Sequence, residues 1–525
     1  MQPPPAADDD EPHVFWSQVA RFQASLDAGR IERGGTLDPA LLGQAADLGL
    51  FAVSLPAQYG GLDLGLWGAC RLVSKLAEAD RAVATSVGLH AGLGSRAITR
   101  FGSEALKARY LPAMAEGRIV GSFAATEPGA GSDLMAARTT GVLQDGKIRI
   151  DGEKCYVTNG GFAKVFTVLV KTPGIGGRRS HCLVCVPRDA PGVHVGPEEH
   201  KMGIRASSTV TVRFDAVMLP LDHVLKPEGE GMAQAHEVLQ WGRTLMSAGC
   251  VGTARTALAM TLEHVQQRTQ FGRTLSRFEA VQAQVAAMAA ELAAMESLVE
   301  ATARGADRGE PIARRSLESK VFCSEGAFSI CDRALQLHGA LGFIEDTGVA
   351  RLLRDCRVTR IFEGANDVLL LHHGTALVSA RGPDAPPAGE RSPAIRGPAL
   401  AGAEHDLAER VASLRSTFGV RVIHQQLRLQ AVARADIALR AVGCLLQAVT
   451  EQGAASRDVA SLAAQLLARR AQDALAQGEH DAQLQPSAAA VFDALTDEGD
   501  AVRGSALRSA DGRNPPLASD SGVAS

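Results

Sequence analysis

Apolar positions along this chain recur with two different periods, and the switches between them divide it. From about Phe15 to Arg118, leucine- and alanine-rich stretches carry a helical spacing, broken at Pro56, Tyr59-Gly60-Gly61 and Phe101-Gly102, where proline and glycine punctuate loops. From Gly121 to about Lys226 the runs become short and β-branched. Lys147-Ile148-Arg149-Ile150 sits between the turn dipeptides Asp145-Gly146 and Asp151-Gly152, followed by Val165–Val170, Cys182–Val186 and Val210–Phe214. These predict a compact antiparallel β domain. From Gly229 to Ser379 the helical period returns, with Val281, Val285, Met288, Leu292, Met295 and Leu298 on one apolar stripe. Several such helices in succession predict a bundle. A last stripe, Leu429, Val432, Leu439, Val442 and Leu446, predicts a further helical layer, with Gly453 as a stop.

The predicted fold is mainly α with a central β domain. Its parts are a helical N-terminal domain (13–120), an antiparallel β domain (121–228), a helical bundle (229–380) and an extra C-terminal helical domain (403–503). Residues 381–402 contain Pro383, Pro386, Pro387, Pro393 and Pro398 and read as a linker. The acidic, Pro-rich residues 1–12 read as disordered, and the Ser-, Gly- and Asp-rich residues 504–525 as a mobile tail.

Composition narrows the classes of function. At 525 residues, 46% hydrophobic and 21% charged, the chain is long enough for about two to four domains. Lys plus Arg is 54 against 58 Asp plus Glu, so no basic field exists for nucleic acid. No apolar run approaches the roughly 18 residues of a membrane span, and Asp8, Asp9 and Asp10 are unlike a secretory leader. A cytoplasmic protein is expected. The nine scattered cysteines predict reduced thiols. Cys182 and Cys185 lie three apart on a predicted strand and so face opposite sides, which with no second pair leaves no zinc site. There is no GxGxxG opening a helix after a strand, no GxxxxGK[ST], no HExxH and no GxSxG. No metal or acyl-serine chemistry is expected, and any nucleotide cofactor must be held in another way.

The segment Thr126-Glu127-Pro128-Gly129-Ala130-Gly131-Ser132-Asp133 is turn-forming, with backbone N–H groups and hydroxyls that can meet a ring carbonyl or an anion. With it, in order, come Lys154-Cys155-Tyr156-Val157-Thr158-Asn159-Gly160, Met202-Gly203-Ile204-Arg205-Ala206-Ser207-Ser208-Thr209 and Arg268-Thr269-Gln270-Phe271-Gly272. Then follow Gln336-Leu337-His338-Gly339 with Gly342, Arg354-Asp355, and Ile361-Phe362-Glu363-Gly364. By these motifs, spread over residues 40 to 380, the chain resembles the acyl-CoA dehydrogenases, and through Asn366-Asp367 most of all the very-long-chain branch and its bacterial relatives.

The resemblance implies FAD at the junction of the domains. Phe123, Thr126 and Ser132 would line the flavin ring, with Tyr156 and Thr158 on its other side. Arg268 and Phe271 would meet the pyrophosphate and adenine, while Gln336 and Gly339 would reach the same FAD from a partner subunit, requiring a homodimer or larger assembly. It also implies an acyl-CoA substrate and an electron-transferring flavoprotein as acceptor. Three positions depart from the family pattern: Tyr156 replaces Trp, Ala340 replaces Gly, and Ala365 replaces Thr.

Taking an α-proton from a thioester needs a positioned base, donors at the carbonyl oxygen and a hydride acceptor at the β-carbon. Glu363, between Ile361-Phe362 and Gly364, suits the first role, since apolar neighbours raise a carboxyl pKa and glycine admits substrate to the backbone N–H. Some family members carry the base immediately before the arginine matching Arg243, but here that residue is Gly242. Gly364 and Arg243 would contact substrate. Gly88, Gly92, Gly94 and Ala97 lie on the helix that limits acyl depth in the family; such small residues serve either a slot for long acyl chains, with Gly94 and Ala97 contacting substrate, or close helix packing, which also uses glycine. The alternatives are an acyl-CoA oxidase or flavin monooxygenase on the same scaffold, or a non-enzymatic DNA-binding member. Residues 381–402 lack a basic amphipathic face, so no stable membrane anchor is expected.

Overall fold

The computed structural model describes residues 13–173, 180–379, 398–452 and 454–497. Residues 1–12, the prolines between 381 and 397, Gly453 and the tail from 504 lie outside the described residues. The first unit is helical: α1 (His13–Ser25), α2 (Ala28–Gly34), α3 (Pro39–Asp47), α4 (Gly65–Ala79), α5 (Arg81–Leu89), α6 (Ser95–Phe101) and α7 (Glu104–Ala115). Side chains of Asp27, Asp38, Asp80 and Ser103 accept backbone N–H bonds at four of these N-termini, which explains where the helices begin. Between α5 and α6 the chain passes through a π-helical turn, His90–Gly94, the kind of helical irregularity that recurs at functional sites.

Seven strands follow: β1 (Gly121–Ala124), β2 (Thr140–Gln144), β3 (Lys147–Thr158), β4 (Val165–Lys171), β5 (His181–Pro187), β6 (Val193–Glu198) and β7 (Thr209–Pro220). They form one sheet in the order β1-β4-β2-β3-β7-β6, with β5 also on β4. The β2–β3, β3–β7, β6–β7 and β4–β5 pairs are antiparallel, whereas β1 joins β4 in parallel with Phe123 opposite Thr167. Asp145 (φ 50°) and Gly146 (φ 72°) make the expected hairpin turn, with both residues left-handed. Asp151-Gly152 is not a turn. β3 runs straight through it, and the register against β7 shifts between Ile150 and Gly152, a bulge in which Gly152 (φ 145°) passes Thr139 too closely for a Cβ. On β5, Cys182 packs into the core inside the sheet and Cys185 into the core under the helices, so the pair does face opposite ways.

The second helical unit contains α8 (Gly231–Gln267), a small hairpin of β8 (Thr269–Gln270) and β9 (Arg273–Thr274), α9 (Glu279–Asp307), α10 (Ala313–His338), α11 (Val349–Arg357) and α12 (Asn366–Ser379). α8, α9 and α10 pack side by side, and α4 and α5 lie on α8. The last layer, α13 (Pro398–Phe418), α14 (Gln426–Gln452) and α15 (Ala454–Asp497), covers α9 and α12. Pro398–Gly402, assigned above to a linker, instead opens α13, because proline is favoured at the first helical position, where its missing N–H has no partner to lose.

This layer is tied on by a buried ion cluster. The Asp436 carboxylate on α14 accepts from His373 Nε2 at 2.8 Å, Arg314 at 2.8 Å and Arg440 at 2.8 Å. Arg314 and Arg440 also meet Glu318 at 2.7 and 3.1 Å. Burial alone would raise the Asp436 pKa, but the hydrogen bond from His373 and the two guanidinium charges hold it well below the usual range. Glu318, His373 and Asp436 have ligand atoms within 4.8 Å of one another, yet the two arginines already neutralise both carboxylates, so the cluster has no call for a metal. Among the described residues, no helix is long and apolar enough to cross a membrane.

Candidate functional site

A cavity of about 1060 Å³ lies where α5, the start of the sheet, α8 and the Ile361–Ala365 loop between α11 and α12 converge. Glu363 sits in that loop in the left-handed region (φ 55°), followed by Gly364 (φ 106°). A non-glycine residue held there costs of order 1–3 kcal/mol, and such strain persists only where the surroundings fix it. Here they do: Arg243 Nε on α8 donates to the Glu363 carbonyl at 2.9 Å, and Asn366 at the start of α12 accepts from the buried Lys320 ammonium on α10 at 2.6 Å.

Glu363 Oε2 is out of contact with solvent and has no hydrogen-bond partner among the described residues. Burial pushes its pKa up to about 7, against the pull of the Arg243, Lys320 and Arg81 charges. Gly242 proves to be its neighbour across the cavity. A Cβ on Gly242 would come within 3.0 Å of Glu363 Oε2 and 2.6 Å of Leu93, so a side chain there would contend for the space that the carboxylate fills.

The loop at 126–133 is clamped from below. Glu127 accepts from the buried Lys154 ammonium at 2.8 Å and from the Arg138 and Thr139 N–H groups at 2.6 and 2.9 Å. Although burial would raise the Glu127 pKa, these partners hold it down to about 2. Lys154 also donates to the Ala125 carbonyl at 3.0 Å, which joins the two motifs into one scaffold. Above this clamp Gly129 and Gly131 have open space around them, and Thr126 and Ser132 line the cavity. Phe123, Tyr156 and Thr158 line it too, Tyr156 being 67% exposed and left-handed (φ 55°). Gly203 packs so tightly on Arg354 that a Cβ would lie 2.3 Å from its carbonyl oxygen, which explains why these two motifs go together.

The structure therefore brings Phe123, Thr126, Ser132, Tyr156, Thr158, Arg243, Glu363 and Gly364 to one cavity, with Ala365 beside them. Arg268, Phe271, Gln336 and Gly339 do not line it. Nor does the structure divide them into two pairs: His264 near the end of α8 stacks on His338 at the end of α10, ring centroids 4.4 Å apart, which gathers all four at one end of the bundle. There Phe271 is 93% exposed, and Ala340 is exposed with Gln336 and Gly339.

Gly94 and Ala97 are a correction. Neither lines the cavity: a Cβ on Gly94 would lie 2.4 Å from the Gly121 carbonyl oxygen, and Ala97 is fully buried in the core with Ile98, Leu106 and Met114. These small residues serve close packing of the helix on β1, not a slot, so no length-selective effect attaches to them. Gly94→Ala is expected to destabilise the fold by about 1–3 kcal/mol through overpacking, read as a lower urea midpoint with unchanged slope. An unchanged midpoint would contradict this packing. Two buried cations escaped the sequence reading: Lys320, and Arg81, which lines the cavity. The available signal was a charge inside an apolar, small-residue helix face, Arg81 among Ala84, Thr85 and Gly88.

Models of the N-terminal, middle and C-terminal domains of acyl-CoA dehydrogenases match residues 11–118, 122–217 and 229–377. Over 334 residues the chain is 36% identical to the mitochondrial very long-chain specific acyl-CoA dehydrogenase of Mus musculus, covering 62% of this chain and 51% of that protein. It is 36% identical over 349 residues to a probable acyl-CoA dehydrogenase of Bacillus subtilis, covering 62% and 58%. The chain thus spans about half the length of the curated relatives it matches. The crystal structure of an acyl-CoA dehydrogenase from Bacillus anthracis complexed with FAD superposes with a TM-score of 0.80 at 26% identity, covering 91% of this chain and 89% of that one. The chain belongs to the acyl-CoA dehydrogenase family.

Proposed function

We propose that the protein is an FAD-dependent acyl-CoA dehydrogenase that converts a fatty acyl-CoA to the trans-2-enoyl-CoA, with Glu363 as the base. The observation that carries this reading is Glu363 Oε2, buried and unpartnered among the described residues, on a residue that lines the cavity. A base of pKa near 7 is half ionised at neutral pH while remaining basic enough to accept a proton in the transition state. Arg243 holds the backbone of the same residue, so the carboxylate is aimed by a fixed loop.

The cavity fits FAD. It has the volume, hydroxyls from Thr126, Ser132 and Thr158, an open glycine at 131, and aromatic surfaces at Phe123 and Tyr156 for stacking. When bound, FAD supplies the hydride acceptor. The Gly364 N–H is suited to the thioester oxygen, because glycine lets substrate approach the backbone. Arg268, Phe271, Gln336 and Gly339, away from their own cavity, are assigned to the FAD of a second copy, and the oligomer this requires is part of the proposal. An electron-transferring flavoprotein is the proposed acceptor.

The raised pKa sets the pH profile. Only the ionised carboxylate is a base, so kcat/KM for an acyl-CoA is expected to rise about tenfold per pH unit below about 7 and to level above it. Lys320→Met, which removes a nearby positive charge, should move the break upward. A profile already flat from pH 5 to 9 would remove Glu363 from this role.

A further inference from the structure

Arg81 is 4% exposed, yet it lines the same cavity as Glu363. Its Nη2 donates to the Met246 carbonyl at 3.2 Å and lies 3.8 Å from the Cys250 thiol, while Nη1 has no hydrogen-bond partner among the described residues. No carboxylate among the described residues lies within ion-pair distance of it. Asp80, its chain neighbour, caps α5 through the Val83 N–H and faces Arg351 at 3.7 Å. Beyond the longer-range pull that it exerts on Glu363, this buried guanidinium has no carboxylate paired with it, an arrangement that is costly and calls for an acceptor.

Its position relative to the base is set by α8. A Cβ on Gly242 would fall 3.0 Å from Glu363 Oε2, and a Cβ on Gly249 would fall 1.9 Å from Arg81 Nη1. Seven residues apart, the two glycines share one face of the helix, about two turns or 10.5 Å from each other. The carboxylate and the guanidinium therefore stand over the same stripe of α8. Between them the cavity is walled by Ala84, Thr85 and Gly88 of α5 and by Leu245 and Met246 of α8.

Resting on the acyl-CoA reading above, we infer that the substrate tail carries a terminal carboxylate, which Arg81 binds at the far end of the cavity while Glu363 meets the α-carbon. A guanidinium matches a carboxylate as a two-pronged, charge-assisted pair, whereas a hydrocarbon end would leave it unpaired. From the α-carbon to the terminal carboxyl carbon the spacing corresponds to about seven to nine carbon–carbon bonds of about 1.5 Å each, zigzag included, and hence, with the thioester carbon added, to the monothioester of a dicarboxylic acid of about nine to eleven carbons.

The test compares anaerobic flavin reduction and kcat/KM for two CoA series, plain acyl and ω-carboxyacyl, of about six to fourteen carbons. The wild-type holoenzyme should favour the ω-carboxyl thioester by about ten- to hundredfold at nine to eleven carbons, the worth of one charged hydrogen-bonded contact. Arg81→Met should reverse that preference. A wild type that favours the plain series, or an ω-carboxyl profile flat with length, overturns the inference and leaves the dehydrogenase reading standing. Flavin reduced by neither series overturns both. Should Arg81→Met not fold, the wild-type length profile alone decides.

Discussion

Glu363→Gln is expected to retain the fold and the flavin while losing dehydrogenation by about 10²–10⁴-fold or more, the usual cost of deleting a positioned base. The isosteric amide keeps the loop geometry, because Arg243 binds the backbone carbonyl of residue 363 and not its side chain. The same variant has a second, independent consequence. The folded-state pKa is about 7 and an ordinary Glu titrates near 4.5, so burial disfavours the ionised form. Below pH 4.5 the group is protonated whether folded or not, and no penalty exists. As pH rises to 7 the penalty grows, reaching about 3 kcal/mol at the upper end. Glu363→Gln should therefore melt above wild type at pH 8 and match it near pH 4.5. Equal melting temperatures at both pH values would show that the carboxylate is not desolvated.

Asp436→Ala is expected to destabilise the protein by about 3–5 kcal/mol, because it strands the Arg314, Arg440 and His373 groups that converge on one buried carboxylate. The loss should fall on the joint between α14 and the bundle, since Arg314 belongs to α10, His373 to α12 and Asp436 to α14. Hydrogen exchange would read it as faster exchange in α13, α14 and α15 ahead of α8. The depressed pKa of Asp436 fixes the pH sense: its contribution is complete above about pH 4, where an unfolded Asp is ionised, and fades as acid protonates the folded group. A uniform loss across the molecule, or none, would contradict the assignment of this cluster as the fastening of the last layer.

Much of this was legible from the chain. The apolar stripe from Val281 to Leu298 lies on α9, and Leu429, Val432 and Val442 are buried on α14, because a helix stripe must face a core whatever that core is. Glycine was harder to read. Asp151-Gly152 has turn composition, but its φ serves a bulge inside a long strand, a choice made by the partner strand. Gly94 looked like open space, and only the Gly121 backbone packed against it shows that the space is filled. The residues grouped around the cavity were identified by motif, yet Arg81 carries no motif. Its meaning depends on Gly249, 168 positions away, lying beneath it. A lone charge in a helix reads as surface until the fold shows what covers it.

The most direct measurement is an anaerobic single turnover of the flavin-loaded protein with an acyl-CoA, following flavin absorbance and the thioester product by mass spectrometry. Expected is trans-2-enoyl-CoA in an amount equal to the flavin reduced, with neither signal from Glu363→Gln. Flavin reduction without enoyl-CoA, or an undiminished yield from Glu363→Gln, would contradict proton removal by Glu363 as the step that this cavity is built to perform.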